Sequence, residues 1–480
     1  MQLSRDFTLK VILVGLILGM ITDVLVRQTI FGLNFFIFVG LWAGICLLAI
    51  IAQNRQLRLP VTYTTLALIN AALVVWRVAP LVQFWSVVIS LVSLGLLATT
   101  AFVENYRDIP LVARIPLLFS RFRRACLSLP KDLSDGLGRR TDKRIKINRG
   151  IVGAVILGVV FVALFASADQ IFSSGFSWLG DIFRSLSNRL QGYNVGRLFT
   201  FGFWAILSMV ALLLLLKPQP AKVSPAVIKP TLTLRDADTI LWTLSIIFAA
   251  FVVLQLRYLF AGGTLPDGLT YATYAQRGYG QLLVATLLAS AVIKYVMTAL
   301  KTSAHTRTKA LATALVILNS IVILSAWKRL SLYEATYGWT MARFVARLGL
   351  VCILLGSVAL IVWLWGKLNS RQLYASGWYI VVGVLMTAAV LNPEGIIAHK
   401  NIAERQNRSI SLDTSYLANL SPDAWPAICA AAPELRQGYS AEYQNLQAEM
   451  HQKGIARNHG LSRHYTNTLA FAKKYDSCLK

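Results

Sequence analysis

The chain reads as an all-α, polytopic integral membrane bundle of about eleven transmembrane helices, followed by a small soluble helical C-terminal tail. Three observations predict this. Of the 480 residues, 56% are hydrophobic and only 14% are charged, against roughly 25% charged in a soluble chain. Runs of about 20 nearly uncharged residues recur, each long enough to cross a hydrocarbon core of about 30 Å. Those runs show none of the strict alternation of barrel strands.

The expected spans are 9–26, 31–51, 61–79, 81–102, 150–168, 198–216, 239–260, 280–299, 310–326, 344–366 and 376–392. Pro80 marks a tight turn between the third and fourth. Pro393 ends the last, because proline cannot continue a helix interior. The first apolar run is long, lacks a small-x-small cleavage site and is followed at once by another span, so it reads as a helix rather than a cleaved leader. The organisation expected is a four-helix segment over 1–102, a basic cytoplasmic loop with an interfacial helix over 103–149, a seven-helix membrane core with amphipathic outer segments over 150–393, and a helical tail over 394–480.

Charge sets the orientation. The net charge is +26. In a membrane chain this places basic loops in the cytoplasm against anionic lipid, and no basic soluble module of domain size is present to bind nucleic acid. Segment 103–149 holds twelve Lys and Arg, whereas 169–197 holds three. The N-terminus is therefore expected in the cytoplasm and, with an odd number of crossings, the tail outside. Lys328, Arg329 and Arg343 run against the bias. Within the basic loop, Arg114–Leu129 (RIPLLFSRFRRACLSL) mixes apolar residues with arginines, as a helix lying among anionic lipid headgroups does. The Pro-rich stretch 217–237 reads as a linker between a six-span half and a five-span half.

Outer segments Phe172–Phe183, Tyr271–Gly280 and Tyr333–Trp339 are aromatic. Ala-Thr-Tyr occurs at Ala272–Tyr274 and again at Ala335–Tyr337. They read either as an interfacial aromatic belt or as short helices dipping back to line an outward cavity. At the same level the topology gathers Asp23, Arg77, Asp169, Arg257, Tyr271, Tyr274, Arg277, Glu334 and Arg343. Ionisable groups at this depth are costly unless paired. The layer is either an ion-pair network that fixes the helices or a polar vestibule in which Arg257 and Arg277 hold an anion. Lys294, near the cytoplasmic end of its span, is expected to snorkel.

In the tail, Ser421-Pro422-Asp423 is a helix start, with a capping hydroxyl, proline at the first position and an acid near the positive end. Trp425 and Ile428 should face a packing partner. A second helix, Ser440–Lys453, should bury Tyr443, Leu446 and Met450 on one side, and a third should cover Ser462–Tyr475. Cys429 and Cys478 are the tail's two cysteines and are a disulfide candidate in an oxidising compartment. The histidines match no metal-ligand spacing, and no phosphate loop, paired Cys-x-x-Cys or His-Glu-x-x-His helix occurs. No metal, cofactor or catalytic residue is expected.

Several stretches resemble a bacterial membrane family catalogued as domain of unknown function 4153/4173. They are ALFASAD at Ala163–Asp169, LQLRYLFAGG at Leu254–Gly263, TYATYAQRGYGQLL at Thr270–Leu283, RLSLYEATYG at Arg329–Gly338, LNPEG at Leu391–Gly395 and DTSYLANLSPDAWPAI at Asp413–Ile428. The likeness covers about the last two-thirds of the chain and is most specific in the tail. It implies a multi-pass protein of the bacterial cytoplasmic (inner) membrane and no activity. The function expected is a non-catalytic membrane sensor or assembly partner, whose tail meets an unknown protein. The alternatives are a transporter or channel with a charged outward cavity, and an enzyme acting on lipid-linked substrates.

Overall fold

The computed structural model describes residues 5–26, 31–103, 106, 109–136, 195–216, 231–255, 279–301, 303–408, 413–438 and 440–453. These residues are almost wholly helical, with no strand beyond an isolated bridge between Leu232 and Leu300. Eight of the helices are long and apolar enough to cross a membrane, and two shorter apolar ones cover 200–216 and 282–298. The protein is thus a multi-pass helical membrane protein. The expected span at 150–168 lies outside the described residues.

Two compact units divide the chain. The smaller comprises 1–27 and 119–218. Its helices α1 (Arg5–Val26) and α6 (Val195–Leu216) pack along their length. Glycine explains the close approach: a Cβ on Gly19 would lie 2.4 Å from Ala205 Cα, and one on Gly15 would lie 2.3 Å from Met209 Cγ. Val11, Met209, Val210 and Leu213 close a cluster with Leu129, which belongs to α5 (Leu111–Gly136).

The larger unit comprises 28–118 and 219–480. Helices α2 (Leu33–Ala52), α3 (Arg58–Trp76) and α4 (Pro80–Phe102) form one group. Pro80 sits at the first position of α4, where its missing N–H costs nothing. A second group is α7 (Leu234–Gln255), α8 (Tyr279–Thr298), α9 (Thr306–Tyr337), α10 (Met341–Leu364) and α11 (Ser370–Leu391). Leu241, Ile293, Leu315, Val316 and Leu360 make its densest core. At 32 residues, α9 is about 48 Å long and overshoots a bilayer core. Of the segment Tyr333–Trp339, expected as belt or dipping helix, Tyr333–Tyr337 continues α9, and Gly338 stops it at φ 77°.

Helix α11 opens with Asn369 and Gln372 in a reciprocal capping box. It closes where expected: Asn392 turns left-handed at φ 60° and Pro393 starts α12 (Pro393–Arg408). The tail continues through α13 (Thr414–Asn419), a short turn at Pro422–Ala424, α14 (Trp425–Ala430), α15 (Ala432–Gly438) and α16 (Ser440–Lys453). Trp425 and Ile428 are buried against Ala398, Ile402, Leu417, Leu435, Tyr443 and Leu446, so the partner they face is the tail itself.

Candidate functional site

Several charged residues of the larger unit gather where the tail meets one end of its helices. The turn between α3 and α4, the C-terminus of α11, the junction of α9 with α10, and the tail all converge there. Asp423 is buried at 3% exposure. Its Oδ2 accepts from the backbone N–H of Val78 and of Ala79, both at 2.8 Å. A carboxylate from the tail therefore caps the positive end of α4, a helix whose own N-cap, Ala79, has no side chain to do so. Asn392 Nδ2 donates to the backbone carbonyl of Asp423 at 2.6 Å. Ser421 caps the short turn, its hydroxyl accepting from Asp423 N–H at 3.3 Å, and its own N–H donates to Glu394 Oε2 at 2.6 Å.

Arg77 stands at this seam. Its Nε donates to Ala389 carbonyl at 3.0 Å and its Nη2 to Val390 carbonyl at 2.7 Å, closing the free carbonyls at the end of α11. Burial pulls its guanidinium below the usual range and the neighbouring Asp423 opposes this. For Glu394 burial pushes the carboxyl up; hydrogen bonding to Ser421 opposes, and the charge on Asp423 adds.

A second cluster joins α9, α10 and α12. Glu334 is 1% exposed and pairs with Arg347. Arg347 Nε lies 2.9 Å from both carboxylate oxygens, and its Nη2 also reaches Ser331 Oγ at 3.1 Å. The guanidinium carbon lies 4.7 Å from the Trp327 ring centroid and 4.8 Å from that of Trp339. The Trp339 indole donates to Glu404 at 3.2 Å, and the Trp339 backbone exchanges two bonds with the Asn401 amide. Arg343 donates to the carbonyls of Tyr337 and Gly338 and covers the Tyr333 ring at 4.2 Å. Tyr416 anchors the tail here as well, its hydroxyl accepting from Met341 N–H at 3.0 Å; burial pushes that hydroxyl up.

Of the residues expected to form the layer, Arg77, Glu334 and Arg343 share this end. Asp23 is buried in the smaller unit at 9% exposure. Asp169, Arg257, Tyr271, Tyr274 and Arg277 lie outside the described residues. The guanidinium that pairs with Glu334 is that of Arg347, a residue outside the expected layer and one turn beyond Arg343. Sequence reading also passed over Asp423 as a bridge, Glu394, Asn401 and Tyr416. Cys429 is disulfide-bonded, whereas Cys46, Cys126 and Cys352 are free thiols; the expected partner, Cys478, lies outside the described residues.

Beside this end a small, mostly apolar depression lies between α3, α4, α10 and α11, lined by Asn70, Trp85, Ser86, Phe344, Leu385 and Pro393 among others. At the other end, Arg55 donates to the carbonyls of Thr100 and Val103 at 2.9 and 2.7 Å, closing the end of α4. In the basic loop, Arg114 is buried and donates to Tyr63 Oη at 2.9 Å, whereas Phe119, Arg123 and Arg124 are exposed.

A family profile described as "Domain of unknown function (DUF4153)" matches residues 63–431. No curated protein and no solved structure matches the chain.

Proposed function

The chain belongs to the DUF4153 family of unknown function, and from that premise we propose that it is a non-catalytic assembly partner or sensor of the bacterial cytoplasmic membrane. Its N-terminus is cytoplasmic and its tail extracytoplasmic. The reading rests on one observation above all: Asp423 welds the tail to the α3–α4 turn through two backbone N–H groups. A segment bound this way is a fixed platform, and the nearby ionised groups Glu334, Arg347 and Arg77 are committed to one another or to backbone carbonyls. The face the platform turns to solvent is polar, with His399, Lys400, Glu434 and Arg436 exposed. It would meet a partner through hydrogen bonds and charge rather than through an apolar patch.

Two experiments bear on this reading. An alkaline phosphatase fusion after Lys480 should be active and a cytosolic fluorescent fusion there dark; the reverse overturns the orientation. Photo-crosslinking residues at Lys400, Glu434 and Arg436 in cells should give one discrete adduct, which Asp423→Ala should abolish while leaving protein abundance intact. Normal complementation of a deletion strain by Asp423→Ala, together with no adduct at any of the three positions, would sink the platform role.

A further inference from the structure

Lys294 lies one turn before the end of α8. Its ammonium donates to Thr298 Oγ1 at 3.1 Å and to Ser370 Oγ at 2.9 Å. It sits 4.0 Å from the Trp363 ring centroid and 5.9 Å from that of Tyr374. Thr298 is the last residue of α8, Ser370 the first of α11, and Trp363 the next to last of α10. Three helix ends therefore fix the depth of this cation at the boundary between hydrocarbon and headgroups.

Among the described residues the surroundings are chemically incomplete. An ammonium has three donors, of which two have acceptors there, and all four described partners are neutral. The hydroxyl proton of Thr298 is spent on the carbonyl of Lys294 at 2.7 Å. The oxygen of Ser370, by contrast, accepts from the ammonium and keeps its own proton to give. A half-buried cation beside apolar helix ends calls for a counter-anion. Lys367 and Arg371 are exposed in the connection entering α11 and in its first turn. Tyr295, Trp365 and Tyr374 are exposed, as amphipathic rings at headgroup depth are.

We propose that this end of the bundle binds the phosphate of an anionic phospholipid. The remaining ammonium proton and the Ser370 hydroxyl donate to phosphate oxygens, the exposed rings line the glycerol level, and Lys367 and Arg371 favour a headgroup of net negative charge over a zwitterionic one.

The test is native mass spectrometry of the full-length protein titrated with dioleoyl phosphatidylglycerol or dioleoyl phosphatidylcholine. The wild type should retain phosphatidylglycerol in preference. Lys294→Met should weaken it by about tenfold or more, the worth of one charge-assisted hydrogen bond; Lys294→Arg should keep most of it, and Ser370→Ala should fall between. Added NaCl should weaken the wild-type interaction and change Lys294→Met less. Equal retention of the two lipids, or phosphatidylglycerol held as tightly by Lys294→Met as by the wild type, overturns the proposal. Displacement of the lipid by millimolar inorganic phosphate would mark the site as one for a soluble anion and overturn the lipid assignment. Should Lys294→Met fail to fold, Ser370→Ala and the salt titration decide by the same readout.

Discussion

Arg347 is held by a carboxylate below and indole faces on two sides, so its removal strands Glu334 at 1% exposure. Arg347→Met should therefore cost about 3–5 kcal/mol, and the double variant Glu334→Leu/Arg347→Met should recover most of it, because an apolar replacement of both partners strands no charge. Thermal melts of the purified variants in one detergent check both. Glu394 gives a pH signature. Its folded pKa is raised, so the stability carried by its neutral form is complete below the unfolded value near 4.3 and is lost as pH rises through the folded value. Glu394→Gln cannot ionise, and its amide oxygen can still accept from Ser421 N–H. The melting temperature of the variant relative to wild type should rise between pH 4.5 and 8; a flat difference would contradict the assignment. Neither residue was legible beforehand. Arg347 lies in a run apolar enough to pass as span, and Glu394 reads as an ordinary acid in a helix's first turn. Depth along a helix follows from sequence, but which of two arginines four apart faces a given carboxylate is set by tertiary packing. Hydropathy places charges by level, which is how Glu334, Arg77 and Arg343 can be assigned to one end of their helices from sequence.

Helix positions were the most readable part of the chain, since length and hydropathy are local properties. The exception is α9. Lys328 and Arg329 make its hydropathy fall after residue 326, yet Arg329 is buried at 6% and the helix runs to Tyr337. Its polar last turns are held by α10, where Arg347 pairs with Glu334 and reaches Ser331 and Arg343 bonds the Tyr337 carbonyl. The start of α11 was placed late for a related reason: Asn369 and Gln372 carry a legible capping box, but the polar turn after it dilutes the apolar run. On α1, Gly15-x-x-x-Gly19 is a signature of close helix approach that composition hides among other glycines. A side chain at Gly19 would meet the backbone of Ala205, which cannot swing away as a flexible side chain can. Gly19→Leu should therefore separate α1 from α6 and lower stability by about 1–3 kcal/mol as an overpacked interface does, whereas Gly44→Leu, with nothing within 4 Å of its added Cβ, should be near neutral. Melting curves of the two variants side by side test this.

At the scale of the whole molecule, the tail's buried Trp425 and Ile428 followed from pattern, but its attachment did not. The bonds from Asp423 to Val78 and Ala79 span 345 and 344 residues of chain, and no local signal reaches that far. The disulfide at Cys429 gives a further prediction. Linkage to Cys478 would close a loop worth about 4 kcal/mol in the chain-entropy model, so a non-reduced digest should yield one peptide joining the two cysteines. Reduction should lower the tail's resistance to protease while leaving the spanning helices intact; recovery of both cysteines as free thiols would rule the bridge out. The long reach of Asp423 also imposes a schedule on synthesis. At roughly 5–20 residues per second, about 17–70 s separate the emergence of the α3–α4 hairpin from that of the carboxylate that finishes it. Throughout that interval the newborn hairpin keeps two amide protons waiting, so any polypeptide cut short before residue 423 never receives the carboxylate that completes its hairpin turn.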